Sequence, residues 1–229
     1  MWNDISYNGN SNRYAKEGKK MTSKFEILKR ISDVGVVAVV RANNEADAVK
    51  ISKACADGGV TSIEVTFTVP RADNVIKTLR DKFKDELTVG AGTVLDSETA
   101  RIAILAGAQF IVSPCFNLEA AKLCNRYGVP YIGGCMTINE MVTAMEAGAD
   151  IIKLFPGSAY GPSIINEIKG PLPQAQIMPT GGVSLDNVKE WIKNGCVAVG
   201  VGGKLTGPAK EGNYAKVTEN AKEFVSKVK

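Results

Sequence analysis

The chain has 229 residues, 45% of them hydrophobic and 23% charged, an ordinary globular composition with enough length for one large core. Its net charge of +4 is spread over interleaved Lys, Glu and Asp. No dense basic block is left for nucleic acid or a membrane surface, whereas a small anionic substrate remains compatible. No apolar run is long enough for a bilayer span, and the N-terminus lacks the apolar core of a secretion signal. Cys55, Cys115, Cys124, Cys135 and Cys196 lack CxxC spacing and mostly sit among Ala, Leu and Val. That pattern predicts reduced packing residues in a cytoplasmic protein.

Residues 1–20 are dominated by Asn, Ser, Gly and Lys without periodicity and are expected to form a flexible extension ahead of a single domain over residues 21–229. Lys16-Glu17-Gly18 matches the in-frame translation of a purine-rich ribosome-binding site, which makes Met21 an expected alternative start. Next comes a short amphipathic segment, Lys24–Ser32, and then apolar runs alternating with longer amphipathic segments at a spacing of roughly 20 to 25 residues. The runs predict strands over Val34–Arg41, Ser62–Phe67, Leu87–Thr93, Phe110–Pro114, Tyr131–Met136, Asp150–Phe155, Gln176–Thr180 and Ala198–Gly202. They are nearly continuously apolar, as strands covered on both faces must be. The segments between them repeat apolar residues every three or four positions, and several end in glycine before the next strand, as at Gly58-Gly59, Gly107, Gly128, Gly148 and Gly195. This rhythm predicts a parallel (β/α)8 barrel with Lys24–Ser32 as a helix plugging its bottom. An open doubly wound sheet would more naturally carry a GxGxxG loop after an early strand, where this chain has Ala42-Asn43-Asn44-Glu45.

In such a barrel the C-terminal strand ends meet at one mouth. Strand one delivers Arg41, either a solvated charge or a clamp for a substrate carboxylate or phosphate. Strand two carries Glu64, either half of a structural ion pair or an acid/base. Strand three ends Gly90-Ala91-Gly92-Thr93 and strand four ends Ser113-Pro114. Strand six holds Lys153 inside Asp150-Ile151-Ile152-Lys153-Leu154-Phe155. A lysine there either reaches out to solvent or is a desolvated amine able to attack a carbonyl. Glycine pairs at Gly181-Gly182 and Gly202-Gly203 end strands seven and eight, where barrels often present backbone amides to phosphate.

Six ordered blocks carry a family resemblance. Val37-Ala38-Val39-Val40-Arg41-Ala42, Ile63-Glu64-Val65-Thr66-Phe67-Thr68, Gly90-Ala91-Gly92-Thr93-Val94, Ile111-Val112-Ser113-Pro114, Ile152-Lys153-Leu154-Phe155-Pro156 and Pro179-Thr180-Gly181-Gly182-Val183 resemble the signature blocks of the KDPG/KHG aldolase family. These are class I aldolases acting on 2-keto-3-deoxy-6-phosphogluconate and 4-hydroxy-2-oxoglutarate. The resemblance implies a (β/α)8 fold, usually a homotrimer, and a retro-aldol cleavage to pyruvate that needs no metal or other cofactor. It makes Lys153 the Schiff-base lysine and Glu64 the general acid/base. Arg41 and Thr93 look like substrate contacts, Pro114 and Phe155 like walls of the pyruvate pocket, and Gly181, Gly182 and Gly202 like backbone contacts to the distal phosphate. Two positions depart from the pattern: Thr68 stands where some members carry Arg, and Gly203 where Ser is common.

A metal-dependent aldolase usually needs imidazole ligands, and the chain has no histidine. The rival readings are a phosphosugar isomerase or epimerase in which Lys153 is only electrostatic, and a catalytically idle barrel that binds a phosphometabolite.

Overall fold

Several helices among the described residues begin where a side chain accepts from one of the first free amides. A computed structural model describes residues 22–229; the expected extension over residues 1–20 and the alternative start at Met21 lie outside them. Helix α1 (Lys24–Val34) opens on a capping box, with Ser23 Oγ accepting from the Glu26 amide at 3.2 Å and the Glu26 carboxylate accepting from the Ser23 amide at 2.9 Å. It closes on Gly35, whose φ of 69° and N–H bond to the Ile31 carbonyl stop the helix. Val34, expected to begin the first strand, is therefore the last residue of α1.

The strands are β1 (Val36–Val40), β2 (Ser62–Thr66), β3 (Thr88–Gly92), β4 (Ile111–Val112), β5 (Tyr131–Cys135), β6 (Ile151–Leu154), β7 (Ile177–Pro179) and β8 (Val199–Val201). Between successive strands run α2 (Glu45–Asp57), α3 (Ala72–Phe83), α4 (Ser97–Leu105), α5 (Leu118–Arg126), α6 (Ile138–Glu146), α7 (Ile164–Lys169) and α8 (Val188–Lys193). After β8 come the short α9 (Gly203–Thr206) and the long α10 (Tyr214–Val228). All pairings are parallel, in the order β7-β6-β5-β4-β3-β2-β1-β8. A Thr180–Gly200 bridge and the Val197 N–H bond to the Ile177 carbonyl, at 3.0 Å, bring β8 back to β7. The ring is the expected (β/α)8 barrel, and an open sheet with two free edges is ruled out.

Alternation along the strands separates two apolar layers. Val36, Ala38, Val40, Ile63 and Val65 face the helices, whereas Val37, Phe110, Val112, Ile132, Ile151, Met178 and Ala198 pack inside the barrel. Ile27 and Ile31, one turn apart on α1, close the lower end of that inner layer, so α1 is the expected plug. In the Gly58-Gly59 turn it is Gly59 that takes positive φ, at 91°; a Cβ on Gly58 would collide with Ala221 of α10. No helix among the described residues is long and apolar enough to cross a membrane.

Candidate active site

Strands β2 and β6 stand opposite one another in the ring, and each contributes one charge to the interior. Glu64 is 1% exposed and Lys153 4% exposed. The Lys153 Nζ lies 3.7 Å from Glu64 Oε1 and 5.2 Å from the centre of the Phe155 ring. An ion pair removed from water this completely costs several kcal/mol per ion before the mutual attraction is counted. The compensation is incomplete, because Glu64 Oε2 is buried without a hydrogen-bond partner. A buried carboxylate oxygen left open beside an amine is an acceptor waiting for a hydroxyl or water.

Room for that carboxylate comes from Gly92. A Cβ at position 92 would collide with Glu64 Oε1, so the glycine that ends β3 is required by close approach. The next residue, Thr93, is left-handed at φ 57°, a genuine outlier for a β-branched side chain. Strain of this kind, roughly 1–3 kcal/mol, persists only where the surroundings enforce it, and it clusters at functional sites. On the next strands, Gly134 lets the backbone of Pro114 pass close over β5, where Gly134 is in register with Lys153. Phe155 leaves β6 half-buried, followed by a cis Phe155–Pro156 bond.

Arg41 and the glycine pairs form a second cluster where β7, β8 and β1 end. A cavity of about 210 Å³ there is lined by Arg41, Phe155, Thr180, Gly181, Gly182, Gly202 and neighbours. Gly181 and Gly182 have φ of 87° and 76°. Arg41 is exposed, and a Cβ on Gly202 would lie 3.3 Å from its Nη1. Arg41 also borders an adjoining cavity of about 520 Å³ with Thr68, whose hydroxyl is 2.7 Å from that of Thr66. A third cavity, about 530 Å³ and lined by Arg80, Gln109 and Tyr127 among others, opens at the opposite end of the barrel and holds neither Lys153 nor Glu64.

The fold thus brings Lys153, Glu64, Thr93, Pro114 and Phe155 to one part of the mouth and Arg41, Gly181, Gly182 and Gly202 to another, with Phe155 bordering both. Gly92 and Thr180 were expected at the mouth only as parts of strand ends, without a role, and Lys204 was not expected. Thr180 is buried with its hydroxyl unpartnered. Lys204 lines the 210 Å³ cavity, and a cation directly after a strand-end glycine pair was the available signal for it. Burial pushes the Cys55, Cys124, Cys135 and Cys196 thiols up to about 12, which leaves them unreactive packing groups. Cys115, beside Pro114, is exposed.

Comparison with known proteins gives the same picture. The family described as "Aldolase: KDPG and KHG aldolase" matches residues 27–220. The chain is 36% identical to the 2-dehydro-3-deoxy-phosphogluconate aldolase of Treponema pallidum (strain Nichols), over 86% of this chain and 94% of that one. It is 34% identical to the 2-dehydro-3-deoxy-6-phosphogalactonate aldolase of Escherichia coli (strain K12), over 74% and 83%. Among solved structures it superposes with a TM-score of 0.80, at 27% identity over 88% of this chain and 97% of the other, on the KDPG aldolase of Legionella pneumophila with pyruvate captured at low pH as a covalent carbinolamine intermediate.

Proposed function

The chain belongs to the KDPG and KHG aldolase family, and on that premise we propose a class I, metal-independent cleavage of 2-keto-3-deoxy-6-phosphogluconate to pyruvate and glyceraldehyde 3-phosphate, with 4-hydroxy-2-oxoglutarate giving pyruvate and glyoxylate. The observation that carries the reading is the buried Lys153–Glu64 pair, an amine and a half-unsatisfied carboxylate 3.7 Å apart inside the barrel. The Lys153 amine, deprotonated for the step, adds to the C2 ketone, and loss of water leaves a protonated imine. That imine draws electrons from the C3–C4 bond. Glu64, directly or through water, takes the C4 hydroxyl proton as the bond breaks, releasing the aldehyde and leaving an enamine. Protonation at C3 and hydrolysis return pyruvate and the free lysine.

The remaining residues fit this sequence of events. Thr93 and Arg41 contact substrate, Pro114 and Phe155 wall the pyruvate end, and the amides of Gly181, Gly182 and Gly202 receive the distal phosphate. The capture of pyruvate as a carbinolamine in the Legionella pneumophila neighbour supports an amine nucleophile here. It also favours cleavage over an isomerase or an idle binding barrel. A homotrimer is part of the proposal; Leu95, Ile102, Leu105 and Leu118, exposed on or beside α4 and α5, offer apolar surface to a neighbouring subunit. The five unpaired cysteines support a cytoplasmic setting.

The test is chemical trapping. Borohydride with pyruvate adds one adduct, at Lys153, and Lys153→Arg abolishes turnover with the fold intact, because arginine keeps the charge but forms no imine at neutral pH. Labelling of another lysine with Lys153 untouched defeats the assignment.

A further inference from the structure

The wall of the 210 Å³ cavity carries a charge that the mechanism does not use. Lys204 is exposed on α9 and lines this cavity together with Arg41, Gly181, Gly182, Gly202 and Gly203. Among the described residues neither the Lys204 ammonium nor the Arg41 guanidinium has a hydrogen-bond or ion-pair partner, although many surface lysines of the chain do, such as Lys29 with Asp33 and Lys53 with Asp57. Two cations without a protein partner on one small cavity make a positive field that favours an anion there. The Thr180 hydroxyl, in the same lining, is also without a partner. Position 203, by contrast, offers no side chain, and a Cβ built there would meet nothing within 4 Å. The hydroxyl common at this point of the family pattern is missing, and the next residue is a lysine.

We propose that Lys204 is a specificity-determining residue that recognises the distal phosphate, supplying by charge what position 203 lacks as a hydrogen-bond donor. The inference rests on the aldolase reading and deepens it. A phosphate monoester carries about −1.5 to −2 charge at neutral pH, which one guanidinium does not balance and two cations do. Its phosphorus lies three bonds beyond C5, the atom at which the smaller substrate already ends in a carboxylate. A cation on this cavity therefore distinguishes the two substrates by reach as well as by charge.

The experiment compares kcat/KM on the phosphorylated and unphosphorylated substrates for the wild type, Lys204→Gln and Lys204→Arg. The expected result is a fall in the phosphorylated-to-unphosphorylated ratio of roughly 10- to 100-fold in the Gln variant, carried mainly by KM, with most of it restored by Arg. A ratio unchanged in the Gln variant, or an equal loss on both substrates, overturns the assignment. Calorimetric titration with inorganic phosphate reads the same site without turnover: binding weakens at least tenfold in Lys204→Gln if the assignment holds, and equal binding refutes it. A wild-type chain that released no pyruvate from either substrate would sink the aldolase reading, while the titration would still decide Lys204.

Discussion

Glu64 and Lys153, 1% and 4% exposed, lie 3.7 Å apart inside the barrel, so a change at one is felt at the other. Replacing Glu64 by Gln keeps the volume and removes the base. Cleavage is expected to slow roughly 10²- to 10⁴-fold, the usual worth of a positioned acid/base, while borohydride still traps some imine. Full activity in Glu64→Gln, measured by coupled pyruvate release, would take Glu64 out of the mechanism. Thr93 tests a different property. Its φ of 57° is costly for any residue with a Cβ and most costly for a β-branched one. Thr93→Ala and Thr93→Gly both lose the side chain, but only glycine relieves the backbone, at some cost in unfolded-state entropy. The Gly variant is therefore expected to be about 1 kcal/mol more stable than the Ala variant in urea unfolding, with KM raised in both. A more stable Ala variant would show that the left-handed geometry is not maintained in solution. Nothing in the string Gly90-Ala91-Gly92-Thr93 marks the conformation, because φ at a non-glycine is set by what crowds around it.

At the scale of elements, helix starts carry charge that ties stability to pH. Asp96 caps α4 by accepting from the Thr99 amide at 2.6 Å, and that bond holds its carboxyl below the usual range. Glu140 is lowered in the same way by the Met136 and Thr137 amides at the start of α6. A carboxyl lowered in the folded state adds stability above its unfolded pKa and loses it as pH falls through the folded value. Asp96→Asn keeps a capping oxygen but removes the titration. The wild type is expected to exceed this variant slightly at pH 6, by about 0.5 kcal/mol at an exposed site, with the gap closing toward pH 3. A gap that widened on acidification would reverse the sign and refute the linkage. All eight strands were legible from apolar runs, because burial on both faces leaves no room for alternation. Their ends were not: the run through Phe110–Pro114 pairs only over Ile111 and Val112, since Ser113 and Pro114 already turn into the loop. Val34 was read as strand because a valine at a helix end and one at a strand start look alike until Gly35 takes its left-handed turn.

For the whole molecule, the pairing of Glu64 with Lys153 was legible before any coordinates, because a carboxylate buried in an apolar run is costly unless paired and Lys153 offers the matching charge in another such run. The place of Lys204 on the cavity shared with Arg41, Gly181, Gly182 and Gly202 was not, since it depends on which side chains lean toward which cavity. The same organisation bears on metals. In a metal aldolase the ion polarises the substrate carbonyl and stabilises the developing carbanion. In the mechanism proposed above, the protonated imine on Lys153 withdraws the electrons itself, and Glu64 manages the proton. An ion beside them would compete for the open Glu64 oxygen that the C4 hydroxyl needs. Prolonged dialysis against EDTA is therefore expected to leave kcat/KM within about twofold of the untreated enzyme, a change too small to represent a lost transition-state interaction. A loss of activity that zinc restores would place the electron sink on a metal. Lys153 would then be left as an electrostatic partner of Glu64.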